Sequence, residues 1–328
     1  MRAEGTCDGR PLSPNVQNDE LGAIALASDI TSLMTENRNV RSGKLDCLSA
    51  LEIVTLMNQE DAQVALAVRP ALPQIADAVA RTAESLRAGG RLIYVGAGTS
   101  GRLGVLDASE CPPTFGVSED QVTGLLAGGL NVFATAKEAI EDDLLQGQED
   151  VRQLGVNARD FLVGVSASGR TPYTIGALQE ARAAGAGTCA VSCNMDAEMS
   201  KVADIAVEVD TGAEILTGST RLKAGTAQKM VLNMISTGAM VLIGKVYDNL
   251  MVDLRPTNRK LVVRSVNMLQ QVLDIPEETA AGLLGQAEFN VKAAIVMGLL
   301  GVGLPEALAR LEQAGGFVRR ALGGDCPS

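Results

Sequence analysis

The pattern of apolar and polar positions changes character twice along the chain. Polar and turn-forming residues dominate the start, which predicts a flexible tail over 1–20. From Leu21 to Met34 apolar residues recur at helical spacing, and Thr35-Glu-Asn-Arg-Asn39 breaks that run. Ala50–Asn58 and Asp61–Arg87 again predict helices, the second divided near Pro70 and Pro73, because proline removes a helix hydrogen bond. Beyond Gly89-Gly90, short β-rich runs alternate with helical stretches. The predicted strands are Arg91–Val95, Thr123–Leu126, Phe161–Val165, Thr188–Ser192 and Ile205–Val209. Helical spacing covers Arg102–Ser109, Val132–Gln146, Pro172–Ala184 and Ala197–Val202, and a long helix over Leu222–Leu250 closes the series.

Several of these strands are continuously apolar, as strands buried on both faces of a parallel sheet must be. The alternation therefore predicts an α/β fold: a doubly wound, mainly parallel five-stranded sheet. Pro256 and Asn258 mark a boundary, after which Ser265–Leu273, Pro276–Gln286, Asn290–Leu300 and Pro305–Ala314 predict a small helical subdomain. The resulting division is a tail at 1–20, an N-terminal helical segment at 21–88, the sheet domain at 89–255 and the C-terminal subdomain at 262–324. The longest apolar stretch, Met230–Ile243, is interrupted by Asn233, Ser236 and Thr237 and falls short of the ~20 residues a membrane span needs. It reads as a buried helix, and no membrane partner is expected.

Composition narrows the chemistry. The 328 residues contain no His, no Trp, 3 Tyr and 5 Phe, so mechanisms and metal sites built on imidazole are excluded and aromatic stacking platforms for nucleic acid are not expected. Acid–base work falls to carboxylates, Lys, Tyr, Cys or water. With 28 Lys and Arg against 39 Asp and Glu, the net charge of −11 repels phosphate backbones and argues against a nucleic-acid partner. Six scattered cysteines fit a reduced, cytoplasmic setting better than a disulfide framework, and Cys189 and Cys193 read as small core residues.

Two loops carry hydroxyls at the carboxyl ends of predicted strands. Gly96-Ala-Gly-Thr-Ser-Gly-Arg102 opens a helix, so its amides and the Thr99 and Ser100 hydroxyls suit an anion. It lacks the Gly-Lys-Ser/Thr of a P-loop. Ser166-Ala-Ser-Gly-Arg-Thr171 is the second such loop, and Ser166, Ser168 and Thr171 offer three short donors to a phosphate in the same crevice. Taken singly, each of these residues is also an ordinary turn or cap residue. Asp107-Ala-Ser-Glu110-Cys-Pro-Pro-Thr114 sets a carboxylate before a Pro-Pro corner. Glu138 and Glu141 fall on one predicted helical face, alongside Asp142. Glu214 through Thr226 combines a carboxylate, hydroxyls and the cations Arg221 and Lys223 ahead of the long helix.

The paired loops resemble the phosphosugar-binding sugar isomerase (SIS) domain. More finely, the chain resembles the N-acetylmuramic acid 6-phosphate etherase family in Thr35–Asn39, Asn58-Gln-Glu-Asp61, Gly96–Gly116, Ala127-Gly-Gly129, Gly212-Ala-Glu214, Lys223–Lys229 and Asn249–Asp253. The C-terminal helices resemble that family's small ubiquitin-associated-like bundle. Two positions depart from the family pattern: Ala139 stands where Gly is usual, and Val40 where Pro commonly follows Asn39.

This resemblance implies a cytoplasmic, homodimeric lyase that needs no cofactor and no metal and takes a small-molecule phosphosugar. It would cleave the D-lactyl ether of N-acetylmuramic acid 6-phosphate to N-acetylglucosamine 6-phosphate and D-lactate, in cell-wall amino-sugar recycling. Glu110 matches the family's catalytic acid and Glu141 its second catalytic carboxylate. Thr99, Ser100, Ser166, Ser168, Thr171, Glu214 and Lys223 would serve substrate and phosphate binding, with Lys223 stabilising developing negative charge. Competing readings of the same sheet domain are a non-catalytic phosphosugar sensor and an aldose–ketose isomerase.

Overall fold

The apolar runs become five parallel strands: β1 Leu92–Gly96, β2 Val122–Leu126, β3 Phe161–Ser166, β4 Gly187–Ser192 and β5 Ile205–Glu208. Their order in the sheet is β2-β1-β3-β4-β5 and every neighbouring pair is parallel. β1 and β3 are buried at every position, whereas the edge strands β2 and β5 are only partly so. Alternate side chains of β1 enter two separate cores, Leu92 and Tyr94 on one face, Ile93 and Val95 on the other. The computed structural model describes residues 33–129, 140–254 and 259–324. The predicted tail 1–20, all but the end of the helix predicted over Leu21–Met34, and Glu138 with Ala139 lie outside the described residues.

The helices are α1 Ala50–Asp61, α2 Val64–Val68, α3 Leu72–Arg87, α4 Gly98–Phe115, α5 Leu144–Gln153, α6 Pro172–Ala183 and α7 Lys223–Leu242. Ser49 starts α1 with a reciprocal capping box to Glu52. Helices α3, α4 and α7 cover the Leu92 face, and α5 and α6 cover the Ile93 face. Five further helices, α8 Arg259–Leu273, α9 Glu277–Gln286, α10 Val291–Leu300, α11 Leu304–Gln313 and α12 Val318–Ala321, enclose a core of their own. Asp253 ties the two parts together, because its carboxylate pairs with Lys245 at 2.8 Å and with Lys292 of α10 at 2.7 Å. No single described helix is long and apolar enough to cross a membrane, and eleven residues of α7, which contains the Met230 run, are buried.

Five predicted elements differ, one of them the helix predicted over Ser265–Leu273, which starts at Arg259. The helix predicted over Arg102–Ser109 starts at Gly98 and continues through Pro112 and Pro113 to Phe115, ending at Gly116 with φ +65°. There is no corner after Glu110. Proline's φ is a helical value, and buried Cys111 and Phe115, which straddle the prolines, hold this last turn on the core. The helix predicted over Val132–Gln146 is replaced, within the described residues, by a turn at 141–142 and by α5, whose N-cap Asp143 accepts from the Gln146 amide at 2.9 Å. Glu141 therefore sits in a turn and not on a helical face. The closing helix stops at Leu242, not Leu250, because Gly244 takes φ +81° against the Phe317 ring. Ala197–Val202 shortens to a single 3₁₀ turn, Glu198–Lys201.

Helices α5 and α6 meet backbone to backbone. A Cβ on Gly147 would lie 2.0 Å from the Tyr173 carbonyl oxygen, and one on Gly176 would lie 2.1 Å from that of Leu144. Gly147→Ala is expected to force this pair apart and to cost about 1–3 kcal/mol, read as a lower denaturation midpoint.

Candidate functional site

The strand order locates a crevice before any side chain is considered. From β1 the chain goes to β2 on one side and then to β3 on the other, so the loops after β1 and β3 diverge and leave a gap at their carboxyl ends. The register pairs Gly96 with Val165, so Ala97 and Ser166 begin the two loops side by side, one strand spacing of about 4.8 Å apart. Helices α4 and α6 start from these loops. Neither Ala97 nor Thr171 caps its helix with a side chain, so two helix N-termini face the gap with uncapped amides.

The β3 loop gathers its three hydroxyls. Ser166 Oγ lies 2.8 Å from Thr171 Oγ1 and 3.2 Å from Ser168 Oγ. The Gly169 amide donates to Ser166 Oγ at 3.1 Å, and the Arg170 amide donates to Ser168 Oγ at 3.2 Å. The Ser166 and Ser168 oxygens accept backbone protons and the two contacts between hydroxyls engage two of the three O–H groups, so one hydroxyl proton is left over and an anion would draw the others by replacing those contacts. Gly169 makes the turn possible: its φ is +70°, and a Cβ there would sit 2.4 Å from that of Ala197.

On the β1 loop Ser100 is buried and donates to Gln228 Oε1 at 3.0 Å, while the Gln228 side-chain nitrogen is buried with no hydrogen-bond partner. Thr99 lies beside the first turn of α7, its Cγ2 3.7 Å from where a Gly225 Cβ would stand. The predicted ligands on the stretch before α7 each have a partner within the chain. Glu214 is fully buried, and its two oxygens accept from the Lys223 amide at 3.0 Å and the Ala224 amide at 2.9 Å. Burial raises its carboxyl above the usual range, against the lowering effect of those amides. It works as the helix cap of α7. The Lys223 ammonium is also buried and pairs with Glu60 at 2.9 Å.

The two candidate carboxylates are not brought together within the chain. Glu141 is exposed, and its carbonyl accepts from the Tyr173 amide at 3.0 Å, which fixes its turn beside the start of α6 and the Ser166–Thr171 loop. Glu110 is exposed too, but it lies twelve residues down α4 from Gly98, about 18 Å along the axis from the β1 loop.

Sequence reasoning missed the residues that join the N-terminal segment to this site. Buried Thr35 exchanges hydrogen bonds with Asn194, whose side-chain nitrogen also donates to the Ala167 carbonyl inside the β3 loop at 3.0 Å. Asn39 and Arg41 both reach Glu60. These residues stand in or beside stretches the sequence singled out, but each meets its partner only across the fold.

Residues 149–237 match the SIS domain family, and residues 74–182 match the glucokinase regulatory protein N-terminal SIS domain. Among curated proteins, the N-acetylmuramic acid 6-phosphate etherase of Mycolicibacterium smegmatis is 55% identical over 295 residues, covering 90% of this chain and 99% of its own. The etherase 2 of Vibrio cholerae is 52% identical over 298 residues, covering 91% and 97%. The etherase of Klebsiella aerogenes is 52% identical over 297 residues, covering 90% and 99%.

Proposed function

The chain belongs to the N-acetylmuramic acid 6-phosphate etherase family, and from that membership we propose that it cleaves the lactyl ether of this substrate, yielding N-acetylglucosamine 6-phosphate and D-lactate in amino-sugar recycling. The observation that carries this reading is identity above one half along nearly the whole length of each relative. Phosphate binding is assigned to Ser166, Ser168, Thr171 and the amides at the starts of α4 and α6, supported by the convergent hydroxyls and uncapped helix ends. Thr99 and Ser100 border this group. Glu214 is assigned to capping α7, since both its oxygens are occupied.

The chemistry asks for two carboxylates. With the sugar ring open, the C1 aldehyde acidifies the C2 proton. Glu141 removes it, the C3–O bond to the lactyl group breaks, and a proton from Glu110 passes to the departing oxygen. Glu110, now a carboxylate, takes a proton from water as the water oxygen adds to C3 of the unsaturated aldehyde, and C2 regains a proton. Lys223 stabilises the negative charge that develops on the sugar oxygen.

One chain separates these carboxylates, so we assign the working site to a cytoplasmic homodimer in which Glu110 of one copy meets Glu141 and the β3 loop of the other. Exposed apolar side chains flank both groups, Leu106 one turn before Glu110 and Leu145 four residues after Glu141. The test of the activity is direct. Purified protein with N-acetylmuramic acid 6-phosphate is expected to release D-lactate and N-acetylglucosamine 6-phosphate in equal amounts; binding without lactate release overturns the reading.

A further inference from the structure

Glu60, in the last turn of α1, carries no role in the scheme above, yet it sits at the centre of a buried polar cluster. The residue is 6% exposed and its carboxylate receives three side chains. Oε2 accepts from Lys223 Nζ at 2.9 Å and from Asn39 Nδ2 at 2.8 Å, and Oε1 accepts from Arg41 Nη1 at 2.9 Å. Asn39 is itself fixed, because its Nδ2 also donates to the Ala213 carbonyl at 3.2 Å and its Oδ1 accepts from the Arg41 amide at 2.9 Å. Three distant pieces of chain thus converge on one carboxylate at the start of α7.

A surface ion pair would mean little, but this one is different in kind. Lys223 and Glu60 side chains are 6% and 8% exposed, so each charge depends on the other for compensation. Burial pushes the Glu60 carboxyl up, and hydrogen bonds from Lys223 and Asn39, with the charges of Lys223 and Arg41, outweigh it and hold it below the usual range. The carboxylate stays ionised and aims one N–H of the ammonium at itself. Two N–H groups of Lys223 are left over. The same first turns of α7 carry Gln228, bonded to Ser100, and Gly225, against Thr99. A shift at Lys223 therefore reaches the β1 loop.

We propose that Glu60 is a positioning residue: it fixes the direction of the Lys223 ammonium and the start of α7 for the reaction, and Asn39 and Arg41 hold Glu60 itself in place. The proposal rests on the etherase reading and on the role given there to Lys223. Arg41 and Asn39 face the pair from the N-terminal segment, Asp61 follows Glu60 on α1, and Glu214 faces Lys223 from its capping position.

The test compares wild type, Glu60→Gln, Lys223→Met and the double variant of the full chain in steady-state lactate release. Glu60→Gln is isosteric but removes the carboxylate that is hydrogen-bonded to the buried ammonium. Its kcat is expected to fall about 10–100-fold with KM changed by less than about threefold. The double variant is expected to match Lys223→Met alone, because Glu60 acts through that side chain. Additive losses, or an unchanged kcat with only a lower melting temperature, overturn the proposal. Should Glu60→Gln fail to fold, Glu60→Asp keeps the charge one methylene back, and the same kcat loss and non-additivity are required of it. Wild type that releases no lactate overturns the etherase reading and this proposal together, whereas wild-type turnover with an undisturbed variant overturns the proposal alone.

Discussion

Glu141→Gln is expected to lose lactate release from N-acetylmuramic acid 6-phosphate by about 10²–10⁴-fold while keeping phosphosugar binding, and Glu110→Gln by a similar factor. Each substitution preserves size and hydrogen-bonding capacity but abolishes proton exchange. The two losses should differ in where they fall. Glu141 sits in the turn that its carbonyl anchors to Tyr173, beside the hydroxyl loop, so removing its carboxylate stops C2 deprotonation at the outset. The C2 proton of bound substrate should then no longer exchange with deuterated solvent. In Glu110→Gln that exchange should continue, because the base is intact and only the departure of lactate lacks its proton donor. Binding of N-acetylglucosamine 6-phosphate should stay within a few-fold of wild type in both variants, since the phosphate contacts assigned to Ser166, Ser168 and Thr171 are untouched. Normal turnover in either variant would sink the corresponding assignment.

The strands were legible because burial on both faces leaves no polar position to interrupt the run, and β1 and β3 begin and end within a residue of the predicted limits. The hydroxyl loop was legible for a related reason: Ser166, Ser168 and Thr171 act within six residues of one another, so spacing alone brought them together. Local grammar failed where tertiary packing outweighed it. Pro112 and Pro113 read as a break, yet Cys111 and Phe115 on the buried side of α4 hold the helix through them. Glu60 was illegible for the opposite reason. The stretch Asn58-Gln-Glu-Asp61 stood out only as a family match, and the buried pairing of Glu60 with Lys223, 163 residues away, shows only in the fold. The separation of Glu110 from Glu141 was likewise beyond sequence spacing, because it depends on α4 running away from the crevice along the sheet.

That separation makes the strongest test of the site's composition. If Glu110 served its own chain, a dimer pairing Glu110→Gln with Glu141→Gln would have one lesion in each site and no activity. If it serves the neighbouring chain, both lesions fall in one site and the other is intact. Random pairing of equal amounts makes about half the dimers mixed, each with one working site of two, so the mixture should recover about a quarter of wild-type lactate release although each parent keeps about 1% or less. Distinct affinity tags on the two chains isolate the mixed dimer, whose activity should rise to about half of wild type. The geometry leaves little room for a compromise outcome. An axial run of about 18 Å between the β1 loop and Glu110 is longer than any side-chain reorientation can bridge, and α4 is held along its length by buried Gly104, Asp107, Ala108, Cys111 and Phe115. A tagged mixed dimer with no activity would place Glu110 in the site of its own chain and overturn the shared site, whereas a fully active Glu110→Gln parent would remove Glu110 from the reaction, and the acid would have to be sought among groups beside the β3 loop.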